Sequence, residues 1–142
     1  MKKTPFVTLE QIQDIVKTYP TPFHIYDEKA IRDNAMRLHE AFSWNKGFKE
    51  YFAVKATPNP FILKLLQSCG CGVDCSSMTE LMLADALGFG QGEIMFSSNV
   101  TPELDMRKAL ELGAYINLDD ATHVEFLERI CQGDLPDTVC LR

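Results

Sequence analysis

The chain has 142 residues, of which 24% are charged, and it carries a formal net charge of −6. This composition is typical of a folded globular protein, and the scattering of its 14 lysines and arginines along the sequence argues against a nucleic-acid-binding surface. No apolar run approaches the roughly 20 residues of a membrane helix, and five cysteines, an odd number, fit a reducing compartment better than a disulfide framework; we therefore expect a cytoplasmic protein with a small-molecule partner.

The N-terminal segment, residues 1–49, is predicted to contain a helix, a short strand and a second helix. Thr8 and Gln11 have the spacing of a capping box ahead of an apolar stripe, which predicts the first helix. The run "PFHIYD" predicts a short strand. From about Glu28, apolar residues recur at spacings of three and four up to the "NKG" turn, which predicts the second helix.

From residue 50 onward, short apolar runs alternate with helix-period stretches that end near glycine. Five runs predict strands: "YFAVK", "GVDCS", "EIMFS", "YINLD" and "TVCLR". Four helices are predicted between them, beginning at Asn59, at Ser77 with Glu80 closing a capping box, at Thr101 and at about Asp120. The strand ends lie about 21 to 23 residues apart along the chain, which indicates right-handed βαβ units and a parallel sheet.

Two parallel architectures fit this alternation. An open doubly wound sheet that binds a dinucleotide would place a glycine-rich turn after its first strand, and "KATPNP" contains no glycine. A (β/α)₈ barrel needs about 250 residues. The sequence therefore predicts an α/β chain in which residues 50–142 form the first five strands of a (β/α)₈ TIM barrel, with the remainder of the barrel outside these residues.

Polar side chains stand at the predicted strand ends, where (β/α)₈ barrels carry their reactive groups. They are Lys55, Asp74, Ser76, Ser97, Asp119 and Arg142. Alternation places Lys55 on the same face as Tyr51 and Ala53, so we expect its amine to point into the mouth of the barrel, partly desolvated and suited to forming a Schiff base with an aldehyde. From this strand alone, a lysine whose ammonium reaches into solvent is the simpler interpretation.

Several segments together resemble a known enzyme family. The stretch "YFAVKATPNPFILKLLQSCGCGVDCSSMTEL", with "TPFHIYD" before it and "MFSSNVTPELDMRKALELGAYINLDD" and "VCLR" after it, resembles the N-terminal part of the pyridoxal-phosphate-dependent decarboxylases of fold type III. This alanine racemase-like family contains diaminopimelate, ornithine and arginine decarboxylases. The motifs "KATPNP", "MFSSNVTP" and "INLDD" are most similar to the bacterial diaminopimelate decarboxylases.

The resemblance implies a function and a set of site residues. It implies a lyase that converts meso-diaminopimelate to L-lysine in lysine biosynthesis, with pyridoxal 5'-phosphate as cofactor and no metal. Lys55 then holds the cofactor through a Schiff base, Asp74 is the acidic residue near that lysine, Arg142 pairs with acidic side chains of the pocket, and Glu80 keeps the lysine region correctly charged. The resemblance also implies a C-terminal β-domain outside these residues and a full-length homodimer with its sites between subunits. It further implies that these residues alone are inactive.

Other interpretations stay open. Ornithine, arginine or carboxynorspermidine are alternative substrates, and a non-catalytic binding or regulatory relative on the same fold is an alternative class. Glu80 is equally interpreted as a helix cap, and Arg142 as a solvated terminus. The three cysteines between residues 69 and 75 are expected to be small buried apolar side chains, since no second C-x-x-C pair or nearby histidine completes a zinc site. Five parallel strands would leave two open edges, from which we expect self-association.

Overall fold

The computed structural model describes residues 4–142. Its elements follow one another as α1 (Leu9–Thr18), α2 (Glu28–Ala41), β1 (Tyr51–Ala53), α3 (Pro60–Ser68), β2 (Gly72–Cys75), α4 (Met78–Ala86), β3 (Ile94–Ser97), α5 (Glu103–Glu111), β4 (Tyr115–Leu118), α6 (Thr122–Cys131) and β5 (Val139–Leu141). A single 3-10 turn, Val54–Ala56, follows β1. Within the described part of the chain, none of these helices has the length and apolar character needed to cross a bilayer.

The N-terminal segment contains the two predicted helices but not the predicted strand. The capping box of α1 is confirmed, since the backbone N–H of Thr8 donates to Gln11 Oε1 at 2.7 Å and the N–H of Gln11 donates to Thr8 Oγ1 at 3.2 Å. The strand prediction for "PFHIYD" is wrong, because residues 22–27 form no strand and have no partner in the sheet. A strand depends on a neighbour's hydrogen bonds, which short-range sequence patterns do not supply.

The five strands form one parallel sheet in the order β1-β2-β3-β4-β5. Each strand pairs with the next one in sequence, so every connection moves across the sheet in the same direction, and right-handed crossovers then place the helices on one face. A doubly wound sheet would reverse its strand order in the middle. The observed order is that of a barrel wall.

The two faces of the sheet differ in burial. On the face covered by helices, the side chains of the three middle strands are buried: Val73, Cys75, Ile94, Phe96 and Ile116 are at most 1% exposed. These side chains pack in one cluster with apolar side chains of α3, α4 and α5. The opposite face, here called the inner face, carries half-buried residues of all five strands: Tyr51, Ala53, Asp74, Met95, Ser97, Tyr115, Asn117 and Cys140. Mixed polar and apolar residues at intermediate burial distinguish this face from the core.

The amino-terminal end of the inner face is closed by aromatic residues. The hydroxyl of Tyr51 donates to the carbonyl of Gly92 at 2.8 Å, and its ring contacts that of Tyr115 edge to face at 6.5 Å. Gly72 lies directly under the Tyr51 ring, where an added Cβ would come within 2.7 Å of a ring carbon and 2.6 Å of the Glu93 carbonyl oxygen. Since this end is filled, the inner face opens toward the carboxyl ends of the strands.

The helix starts agree with the sequence in position but differ in their hydrogen bonds. Asn59 caps α3 as predicted, accepting from the N–H of Phe61 at 3.0 Å. Ser77 is the N-cap of α4, but its side chain makes no capping bond, so the predicted capping box is wrong. Thr101 does not cap α5, which begins after Pro102; its hydroxyl donates to the Ser98 carbonyl at 3.2 Å instead.

Candidate active site

Lys55 lies in the 3-10 turn that follows β1, whereas the sequence predicted it as the last residue of the strand. The turn is closed by the N–H of Thr57, which donates to the carbonyl of Val54 at 3.1 Å. Val54 takes the fully buried position on the helix-covered side, and the neighbouring Lys55 is exposed. In the described residues, which form five strands of the sheet, the Lys55 side chain is exposed and the expected partial desolvation is not observed.

Asp74 lies on the inner face in the middle of the sheet. Its Oδ1 is buried and has no hydrogen-bond partner among the described residues. The pKa of this carboxyl is raised, first because burial disfavours the charged form, while the Ser97 hydroxyl and the positive charges of Lys55 and Arg142 oppose the shift. A half-buried carboxylate with an unsatisfied oxygen is costly to maintain, so it marks a place where a cationic or N–H donor belongs.

Glu80 ties the start of α4 to the end of β2. Its carboxylate accepts from the backbone N–H of Ser76 at 2.8 Å and from the Ser76 hydroxyl at 3.1 Å. Glu80 therefore does not close the predicted capping box but bonds the residue before the N-cap, one position further back than a capping box requires. The negative charge of Glu80 also contributes to raising the pKa of Asp74.

Arg142 contacts an acidic side chain at the end of the neighbouring strand. Its Nε lies 3.6 Å from Asp119 Oδ1, and its backbone N–H donates to the Leu118 carbonyl at 3.0 Å. Asp119 is free for this contact because Asp120 is used at the start of α6, where Oδ1 accepts from the N–H of Thr122 at 2.8 Å. That bond and one from the Thr122 hydroxyl lower the pKa of Asp120.

Asn117 is a polar residue of the inner face that sequence reasoning missed. Its Nδ2 donates to Ser97 Oγ at 3.1 Å, and its Oδ1 is buried without a partner among the described residues. Asn117 stands in the middle of the run "YINLD", two residues before the strand end on which the sequence analysis concentrated. The available signal was a polar side chain inside an apolar strand, on the same face as Asp74.

The cysteines are not arranged as a metal site. Cys71 and Cys75 are 2% and 0% exposed, as expected for small buried apolar side chains, whereas the same expectation is wrong for Cys69, which is only half-buried. All five cysteines are free. Residues 4–142 contain no group of three or more histidine, cysteine, aspartate or glutamate side chains placed to hold a metal ion.

The fold and this site define a class of protein, and comparison with known families identifies it. Residues 28–142 match the family described as pyridoxal-dependent decarboxylase, pyridoxal binding domain. The chain belongs to this family.

Curated relatives extend the match. The chain is 45% identical, over 92% of its length, to protein TabA of Pseudomonas amygdali pv. tabaci, of which it covers 30%. It is 31% identical, over 82% of its length, to the diaminopimelate decarboxylase of Methanothermobacter thermautotrophicus, of which it covers 28%. The chain thus spans somewhat less than a third of the length of the curated relatives it matches.

Solved structures agree with the fold. A lysine decarboxylase from Selenomonas ruminantium superposes with a TM-score of 0.80 at 21% identity, over 92% of this chain and 34% of that one. The diaminopimelate decarboxylase of Helicobacter pylori, complexed with L-lysine, gives 0.72 at 28% identity, over 85% of this chain and 31% of that one. The prediction of an N-terminal portion of a (β/α)₈ barrel, of the fold type III class, is confirmed.

Proposed function

We propose that the protein carrying this chain is a pyridoxal-phosphate-dependent amino-acid decarboxylase, and that this chain supplies the lysine that binds the cofactor. One observation carries the proposal: in a chain of this family, Lys55 directly follows the carboxyl end of β1, and its charge and that of Arg142 both act on the Asp74 carboxyl of the inner face. The residues 50–142 are then the first five strands of the barrel, and residues 1–49 lead into it.

The residues present fit a bound pyridoxal phosphate. An exposed primary amine at the strand ends is free to react with an aldehyde. The carboxyl of Asp74 has a buried Oδ1 without a partner, and it is close enough to Lys55 for the lysine charge to lower the pKa of Asp74. Arg142 and Asp119 add a second charged pair at the same edge of the sheet.

Each of the four residues then has a distinct task. When bound, pyridoxal phosphate supplies an electron sink for the electrons released as the substrate loses its carboxylate. The Nζ of Lys55 binds the cofactor aldehyde and afterwards holds or releases a proton close to the reacting carbon. The carboxylate of Asp74 interacts electrostatically with the Lys55 side chain, and Arg142 balances the negative charge of Asp74. Glu80 fixes the turn after β2 and so holds Asp74 in place.

For the substrate we propose meso-diaminopimelate, with L-lysine and carbon dioxide as products. Support comes from the relatives of about 30% identity that are diaminopimelate decarboxylases and from the Helicobacter pylori structure. The relative named protein TabA is more similar, at 45% identity. An assay therefore has to compare substrates, with ornithine, arginine, lysine and carboxynorspermidine beside meso-diaminopimelate and carbon dioxide release as the readout.

The test of the cofactor site is borohydride reduction of the full-length protein loaded with pyridoxal phosphate, followed by peptide mapping. We expect the reduced pyridoxyl group on Lys55. The Lys55→Arg variant keeps the positive charge but loses the label, while Lys64→Arg on the outer surface of α3 keeps it. A label on another lysine, or none in the unchanged protein, would refute the proposal and favour a non-catalytic relative on the same fold.

We further propose that the full-length protein is a cytoplasmic homodimer. The free state of all five cysteines fits a reducing compartment. The half-buried inner face and its unsatisfied polar atoms need additional protein to cover them. Sedimentation of the full-length protein at two concentrations tests the assembly, and a monomer at both would contradict it.

A further inference from the structure

Ser97 and Asn117 occupy facing positions on two neighbouring strands of the inner face. They are directly opposite in the register between β3 and β4. Ser97 is also two residues along from Met95, which stands opposite Asp74 in the register between β2 and β3. Side chains two residues apart on a strand point to the same face, so Ser97 lies diagonally across from Asp74. The three polar side chains form a diagonal row across the middle of the sheet.

The hydrogen bond between Asn117 and Ser97 leaves the serine proton free. Asn117 Nδ2 donates to Ser97 Oγ at 3.1 Å. A serine hydroxyl has one proton, and since Ser97 Oγ accepts from the amide, its own proton is free for another acceptor. The carboxylate of Asp74 lies diagonally across from Ser97 in the register and is the acceptor toward which this proton can turn. The Ser97 hydroxyl also opposes the rise in the pKa of Asp74 that burial causes.

Both ends of the row have an unsatisfied atom. Asp74 Oδ1 and Asn117 Oδ1 are the two buried side-chain atoms without a partner in residues 4–142. Buried acceptors normally have partners, so two such atoms on residues that flank one serine on the same face indicate a prearranged polar site and not an accidental gap in packing.

We propose that Asn117 and Ser97 form a positioning pair that orients the carboxylate of Asp74 beside Lys55. The inference rests on the proposed function, in which Asp74 acts on the cofactor-binding lysine. Asn117 holds the Ser97 hydroxyl in the orientation that donates, and Ser97 fixes one side of the carboxylate. The unpartnered Oδ1 of Asp74 then stays available for the ammonium of Lys55 or for a bound donor.

Other charges act on the same carboxyl and have to be kept constant in a test. Lys55 and Arg142 lower its pKa, and Glu80 raises it. Arg142 is in turn held 3.6 Å from Asp119. The neutral residues Ser97 and Asn117 can be replaced without changing any of these charges, which makes them suitable for isolating the effect of hydrogen bonding.

The experiment is a carbon-13 NMR titration of the Asp74 carboxyl in the full-length apoprotein labelled at aspartate Cγ, with the signal assigned by its loss in Asp74→Asn. We expect Ser97→Ala to raise the proton affinity of Asp74 by about threefold or more, the direction that follows from losing a hydrogen bond to a charged group. Asn117→Leu, of similar size, should shift it in the same direction by a smaller factor. Ser97→Thr keeps the hydroxyl and should restore the original titration.

A matched control is available next to Ser97 in sequence. Ser98 is buried, at 6% exposed, and its hydroxyl donates to the carbonyl of Val100 at 3.3 Å, away from Asp74. Ser98→Ala removes the same atom and should leave the titration unchanged. An unchanged Asp74 titration in Ser97→Ala, an equal shift in Ser98→Ala, or no effect of Asn117→Leu would overturn the proposal. If Ser97→Ala does not fold, Asn117→Leu and Ser97→Thr still decide it.

This test is separate from that of the proposed function. Because the apoprotein is titrated, the result does not depend on the cofactor or on turnover. A protein that is labelled on Lys55 but shows no shift in Ser97→Ala refutes only the positioning pair. A protein in which Ser97→Ala shifts Asp74 but Lys55 is not labelled refutes only the proposed function.

Discussion

Asp105 on α5 caps the start of α4, and its replacement tests how much this long-range cap contributes to local stability. Its Oδ2 accepts from the backbone N–H of Met78 at 2.9 Å, and the residue is only 9% exposed. Ser77 makes no side-chain capping bond, so no local group takes over this function. Asp105→Ala leaves the N–H of Met78 without its acceptor at a helix end that also carries Glu80.

The expected magnitude follows from the two interactions that are lost. A hydrogen bond to a charged group contributes about 1.5 to 3 kcal/mol. A carboxylate at a helix N-terminus adds about 0.3 to 1 kcal/mol through the helix dipole. Allowing for water that enters the vacated space, we expect the free energy of local opening of α4 to fall by about 2 to 3 kcal/mol. Asp105→Asn keeps an acceptor oxygen, so it should lose about half as much.

Amide hydrogen exchange of the peptides covering α4, read by mass spectrometry in the full-length protein, measures this opening directly. Since about 1.4 kcal/mol corresponds to a factor of ten, exchange in the first turn should accelerate by roughly 30- to 150-fold in Asp105→Ala. Glu103→Ala is the control on the same helix, because it removes only an exposed ion pair with Arg107 at 2.6 Å. Unchanged exchange in Asp105→Ala, or equal acceleration in Glu103→Ala, would refute the reasoning.

Three further predictions follow from the structure. Gly72→Ala places a Cβ within 2.7 Å of the Tyr51 ring, so we expect a loss of about 1 to 3 kcal/mol and a lower thermal denaturation midpoint; an unchanged midpoint would contradict the close approach. Burial raises the pKa of the Cys75 thiol to about 12, so at pH 8 alkylation of the native protein should modify the more accessible Cys69 and leave Cys75 unmodified until unfolding; comparable rates for both thiols would argue against this. Burial also raises the pKa of Asp74 in the folded state above its ordinary value of 3.8. The neutral carboxyl below pH 3.8 therefore favours the folded state, and this stability is lost as the pH rises through the folded pKa and the buried group becomes charged. Asp74→Asn should therefore unfold at a higher urea concentration than the unchanged protein near neutral pH, with the difference vanishing toward pH 4 and below; a less stable variant at neutral pH would reverse this conclusion.

The parts of the fold that depend on neighbouring residues in the sequence were predictable. The capping box of Thr8 and Gln11 and the Asn59 cap before Pro60 each involve residues within three positions of one another. The regular alternation of apolar runs and helical stretches likewise predicted five strands, and right-handed crossovers are general enough to convert that alternation into a parallel sheet. Lys55 and Asp74 were found through motifs that lie within a single strand and its following turn.

The features that the sequence did not predict all depend on distant residues. Asp105 reaches Met78 across 27 positions, and Asn117 reaches Ser97 across 20. The segment "PFHIYD" has the composition of a strand, but no neighbouring strand pairs with it. Composition and short spacing indicate which elements form, because those depend on local backbone preferences. Only tertiary packing decides which polar atoms are satisfied, which are left without a partner and which way a lysine at a strand end points, because these depend on neighbours that the chain brings together when it folds.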